Sequence, residues 1–95
     1  MLKKTQVKRT GRVRVTFRYA AADARSVAIA GQFNDWQPVE MKRAPDGAWQ
    51  AVLELEPDRA YEFRYLIDGQ RWANDPAADR CVPNPFGGEN CVAVT

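Results

Sequence analysis

Apolar and polar residues alternate with a period of two through most of the chain. In residues 12–19, Val13, Val15, Phe17 and Tyr19 fall on one side and charged or hydroxyl residues on the other, as in a strand with one face in a core. Residues 26–31 read the same way, with Val27 and Ile29 inward; the outward Ala28 and Ala30 leave room for another group to approach. Further strands are predicted near 39–43, over Trp49–Leu55 and over 61–67, where Tyr61, Phe63, Tyr65 and Ile67 face the core. The chain returns through 70–73 and closes with a strand over 90–95. No window holds the three- and four-residue spacing of an amphipathic helix.

Turn formers separate these segments. Ala44-Pro45-Asp46-Gly47 and Asp68-Gly69 are hairpin signals, and Glu56-Pro57-Asp58-Arg59 ends a strand. The loop over 32–38 carries Phe33 and Trp36 among turn residues, and a long loop over 74–89 holds three of the six prolines with Gly87-Gly88. About seven short strands at regular spacing without helices predict an all-β, immunoglobulin-like antiparallel sandwich. Residues 11–95 form this domain, and residues 1–10 are expected as a flexible arm or a frayed first strand.

Composition narrows the function classes. The 95 residues suffice for one small core, and 45% apolar with 27% charged residues is globular composition. Fourteen basic against 12 acidic side chains leave a charge of only +2, with the basic excess near the start. That argues against nucleic acid, whose partners carry a basic stripe of much higher net charge. No apolar run is long enough to span a membrane, so a cytoplasmic protein without membrane partners is expected. Cys81 and Cys91 are expected as reduced thiols, a bridge across the short loop being the alternative. With no histidine in the chain, neither a metal site nor another cofactor is expected.

Gly31-Gln32-Phe33-Asn34-Asp35-Trp36, followed by Tyr65-Leu66-Ile67-Asp68-Gly69 and Asn74-Asp75-Pro76, resembles the family-48 carbohydrate-binding modules, also called isoamylase early-set domains. These accompany branching and debranching enzymes and occur in the β subunit of AMP-activated protein kinase, where they bind glycogen or related α-glucans. The resemblance covers residues 12–95 and implies the same two-sheet sandwich. It also implies a shallow glucan site made by two tryptophans, a basic residue and a polar residue near the C-terminus. By motif these fall on Trp36, Trp72, Arg64 and Asn90, with Glu89 the alternative to Asn90. Trp72 is displaced by one, because Arg71 stands between it and Gln70. Asn34, Asp35 and Asp68 are the expected supporting loop residues.

A glucose ring has apolar faces and a hydroxyl rim, so a flat indole under the face with polar groups at the edge is an effective grip. One stacked ring contributes on the order of 1 to 3 kcal/mol. Arg64 is out of phase with Phe63 and Tyr65 and points outward, either toward sugar hydroxyls or onto a solvated face beside Glu54 or Glu62. Trp36 and Trp72 lie in or beside turns and are expected at the surface, whereas Trp49 heads an inward row and is expected in the core. Asn34 and Asp35 are expected to shape their loop through side-chain-to-backbone bonds.

The leading reading is a non-catalytic α-glucan-binding module, acting alone or beside a glycogen-metabolising enzyme. The alternative is a sandwich that has lost sugar binding and offers a sheet edge or the Pro83-Asn84-Pro85-Phe86 loop to a protein partner. Catalysis ranks last. Asp35, Asp68 and Asp75 sit at turn positions, and glycosidase chemistry needs two carboxyl groups across a cleft.

Overall fold

The computed structural model describes residues 2–95. Among the described residues, ten strand segments form: β1 (Lys3–Gln6), β2 (Val13–Tyr19), β3 (Val27–Gly31), β4 (Val39–Glu40), β5 (Lys42–Arg43), β6 (Trp49–Leu55), β7 (Ala60–Ile67), β8 (Arg71–Ala73), β9 (Arg80–Pro83) and β10 (Glu89–Val94). One sheet has the order β1-β2-β6-β5 and the other β4-β3-β7-β10-β9, with β8 also on β7. Every ladder is antiparallel. The two sheets face each other as an immunoglobulin-like sandwich.

The alternation read from the sequence is the one the core uses. Val13, Val15 and Phe17 of β2 face Val27 and Ile29 of β3, Phe63, Tyr65 and Ile67 of β7, and Cys91 and Ala93 of β10 in one buried cluster. Aromatic rings dominate its centre. Phe17 meets Phe63 edge-on at 5.0 Å, and Tyr65 sits 4.8 Å from Tyr19 and 5.7 Å from Phe63, separations at which such pairs add to plain burial. Trp49 is 8% exposed; its indole donates to Ala21 O at 3.2 Å while Arg43 lies 5.1 Å over the ring.

The ladders divide the chain more finely than alternation suggested. The segment near 39–43 is two strands in different sheets: Val39 and Glu40 pair with β3, whereas Lys42 and Arg43 pair with β6. Met41 makes the crossing, buried, with its N–H donating to Val27 O. The loop over 74–89 contains β9, which pairs with β10. Lys3–Gln6, within the segment read as an arm or first strand, pair with β2; Met1 lies outside the described residues. Ala30, expected outward and open, shares the outer face with its partner Arg64 but exposes no surface. Cys81 and Cys91 stand opposite each other as free thiols, the first exposed and the second buried.

One feature of β7 positions the site. Its first half pairs with β10 and its last three residues pair with β8, while β3 runs along its other edge. Arg64 falls at the junction where β7 leaves β10 and meets β8. The hairpin returning to β8 turns on Asp68 and Gly69, both left-handed (φ 53° and 67°), with Gln70 N–H donating to Ile67 O at 3.0 Å. Two successive positive-φ residues form the tight turn that matches strand twist, which is why Asp-Gly stands here.

Candidate functional site

The loop after β3 begins with a single 3-10 turn, Gln32–Asn34. Asn34 Oδ1 accepts from Gly31 N–H at 3.0 Å, and Trp36 N–H closes back onto Gly31 O at 2.9 Å. Asp35 and Trp36 then take left-handed backbone, φ 56° and 60°, which costs about 1–2 kcal/mol for each non-glycine residue. Gly31 fits where a side chain would not: a Cβ there would lie 2.5 Å from Glu62 O and 2.8 Å from Phe63 Cβ. The loop therefore folds tightly onto β7 and brings Trp36 over the outer face of the larger sheet.

That face carries a groove of about 580 Å³. Trp36 and Trp72 line it, 37% and 42% exposed, with Arg64 and Asn90 from the sheet and Phe86 from the β9–β10 hairpin. Trp72 reaches it because its register partner on β7 is Leu66, an outward position. A second concavity of about 750 Å³ runs beside β4 and β6 between Arg18, Lys42, Arg43 and Asp46. It has no aromatic lining and therefore no flat apolar platform.

A polar chain crosses the groove floor. Gln32 Nε2 donates to Glu62 Oε2 at 3.4 Å, and Asn90 Nδ2 donates to Glu62 Oε1 at 3.1 Å. Asn84 Nδ2 donates to Asn90 Oδ1 at 3.2 Å, and Asn84 Oδ1 accepts from the N–H groups of Phe86 and Gly88. These bonds hold Asn90 in one orientation and tie the hairpin bearing Phe86, itself 93% exposed, to the sheet. Arg64 Nε donates to Asn74 Oδ1 at 3.1 Å.

The four residues expected in the site, Trp36, Arg64, Trp72 and Asn90, thus share one groove. Glu89, the alternative to Asn90, is exposed and outside it, because it shares the strand parity of inward Cys91. The supporting residues divide. Asn34 makes the side-chain-to-backbone bond expected of it, whereas Asp35 shapes the loop through its backbone conformation. Asp68 is not at the groove; its Oδ1 accepts from Arg25 N–H at 2.7 Å and Ser26 N–H at 3.0 Å, and these backbone donors hold its carboxyl below the usual range. Arg64 pairs with neither Glu54 nor Glu62: Glu54 lies by Arg14 in the other sheet, and Glu62 is engaged by Gln32 and Asn90.

Sequence reasoning did not assign Gln32, Glu62, Asn74 or Asn84 to the site. Glu62 carried a signal as the outward residue two before Arg64, and Gln32 and Asn74 stood inside the motif strings of the resemblance, without a site role attached to any of them.

Comparison with known proteins bears on this arrangement. Residues 13–94 match the family described as the glycogen recognition site of AMP-activated protein kinase. The chain belongs to this family of carbohydrate-binding modules. It is also 35% identical over 75 residues to the 1,4-alpha-glucan branching enzyme GlgB of Lactobacillus acidophilus, covering 74% of this chain and 12% of that enzyme. The chain therefore spans only a small part of the curated relative it matches. Glycogen-recognition modules are non-catalytic accessory domains, and the match supports carbohydrate binding for this one. Among the described residues, no helix is long and apolar enough to cross a membrane.

Proposed function

We propose that this chain is an α-glucan-binding module that seats glucose rings on Trp36 and Trp72. Arg64 and Asn90 donate hydrogen bonds to the hydroxyl rim, and Phe86 adds an apolar wall. The observation that carries this reading is the convergence of Trp36, from the loop after β3, and Trp72, from strand β8, on one groove with those two donors. Two half-exposed indoles are costly to leave wet, and a sugar face relieves that cost. Each ring contributes on the order of 1–3 kcal/mol, so binding in the micromolar to millimolar range is expected once ordering costs are deducted.

Such affinities suit a module that holds a partner at a polymer through many weak contacts. A glycogen-metabolising enzyme, acting with this module in one chain or in trans, is the proposed partner.

Native electrophoresis through glycogen-containing gels tests this function. The wild type is retarded, whereas Trp36→Ala and Trp72→Ala each migrate nearly as in plain gel. A wild type of unchanged mobility would refute it. The competing protein-scaffold reading draws on the high exposure of Phe86. Stable protein capture by a chain without glucan affinity would favour that alternative.

A further inference from the structure

We propose that Asn74 is a positioning residue for Arg64, fixing the guanidinium plane so that its terminal nitrogens are presented to the ligand. The ligand half of this proposal rests on the glucan reading above; the contact itself does not. Arg64 and Tyr65 are neighbours on β7 that face opposite sides of the sheet, and each is bonded to one of two neighbours beyond β8. On the outer face Arg64 Nε donates to Asn74 Oδ1 at 3.1 Å, and inside the sandwich Tyr65 Oη donates to Asp75 Oδ2 at 2.6 Å.

The inner bond makes the outer one rigid. Asp75 is 4% exposed, its Oδ1 accepts from Ala77 N–H at 2.8 Å, and its own N–H donates to Cys91 Sγ at 2.8 Å. Asn74 is therefore anchored through the next residue to the core strands β7 and β10 and does not ride on a mobile loop. A guanidinium is planar, so a bond at Nε fixes the direction of both Nη groups. Among the described residues, those Nη groups donate to no protein acceptor. They are left for hydroxyl oxygens, and a preset side chain loses less rotamer freedom on binding.

Lysine cannot substitute in this role. Its single ammonium nitrogen would have to serve both Asn74 and the ligand, with no rigid plane to relay the orientation. The Asn74 contact and the arginine at 64 should therefore act as a unit.

The test uses the full chain with maltoheptaose as the probe, followed by isothermal titration. Asn74→Ala weakens binding about fivefold, within the range for the net contribution of one ordinary hydrogen bond. Asn74→Asp keeps an acceptor and stays within about twofold of wild type. In an Arg64→Lys background, Asn74→Ala causes no further loss. Solvent exchange of the Arg64 Nε–H, followed by nitrogen-15 NMR without sugar, is slow in the wild type and fast in Asn74→Ala. Equal losses in both backgrounds would overturn the positioning role. Equal exchange rates would overturn the contact itself, whatever the affinities. A wild type with a protected Nε–H and no maltoheptaose binding would overturn the glucan reading and the ligand half of the proposal while leaving the contact standing.

Discussion

The Tyr65 hydroxyl donates to Asp75 Oδ2 across 2.6 Å within the sandwich, where Asp75 is 4% exposed. Burial, followed by the adjoining carboxylate, pushes the tyrosine well above the ordinary phenol range, so the hydroxyl stays protonated and stays a donor. The bond secures the chain after β8, and with it Asn74, against β7.

Tyr65→Phe removes that donor and leaves a buried carboxylate oxygen without its partner. A loss of about 1–3 kcal/mol in unfolding free energy is expected, measured by urea denaturation at neutral pH. A loss below about 0.5 kcal/mol, the scatter of surface substitutions, would show that the bond does not hold the segment.

Gly31→Ala tests the tight approach of the tryptophan loop to β7. The added methyl would stand 2.5 Å from a backbone oxygen, Glu62 O, which cannot rotate away as a flexible side chain can. Overpacking of this kind costs about 1–3 kcal/mol. It should lower the thermal midpoint and, by displacing the loop over 32–36, also weaken retention on glycogen. An unchanged midpoint would contradict the packing.

Much of this architecture was legible in the chain. The period-two rows of β2 and β7 located the core, because alternation reports directly which face is dry, and the same parity placed Arg64 outward. The hidden features depended on long-range geometry. The switch of 39–43 between sheets rests on Met41 turning inward, and β9 is four residues ending in proline, too short for a periodic signal. The polar chain through Gln32, Glu62, Asn90 and Asn84 joins residues up to 30 apart in sequence, so only the ladder register shows it. Asp68 was assigned to the site by its motif, but its turn directs the carboxylate to Arg25 and Ser26.

The two thiols should differ sharply in reactivity. Cys81 is exposed and Cys91 is buried, and burial pushes the Cys91 thiol up to about 11 from its ordinary value of 9.0. Iodoacetamide at pH 8 should label one site in the native protein and two in denaturant, counted by mass spectrometry. Rapid native labelling of Cys91 would contradict the packing of β10.

The pH dependence of stability follows from the same shifts. Above about pH 9 the unfolded chain releases the Cys91 proton while the folded chain retains it, so stability falls as pH rises from about 9 toward 11. At the acid end the depressed Asp68 carboxyl works the other way. Its contribution is present above its unfolded value near 3.8 and is lost as pH falls below it. Denaturation midpoints across pH should therefore be flat in the neutral range and decline at both ends; a midpoint that rises between pH 9 and 11 would contradict the burial of Cys91.

Isothermal titration of the wild-type protein with maltoheptaose, with cellohexaose as the control sugar, asks whether the shared groove of Trp36 and Trp72 is an α-glucan seat. Saturable binding of maltoheptaose in the micromolar to millimolar range is expected, reduced at least about tenfold by Trp36→Ala, with much weaker binding of the β-linked chain. No heat of binding from either sugar, or equal affinity in the Trp36→Ala protein, would contradict it.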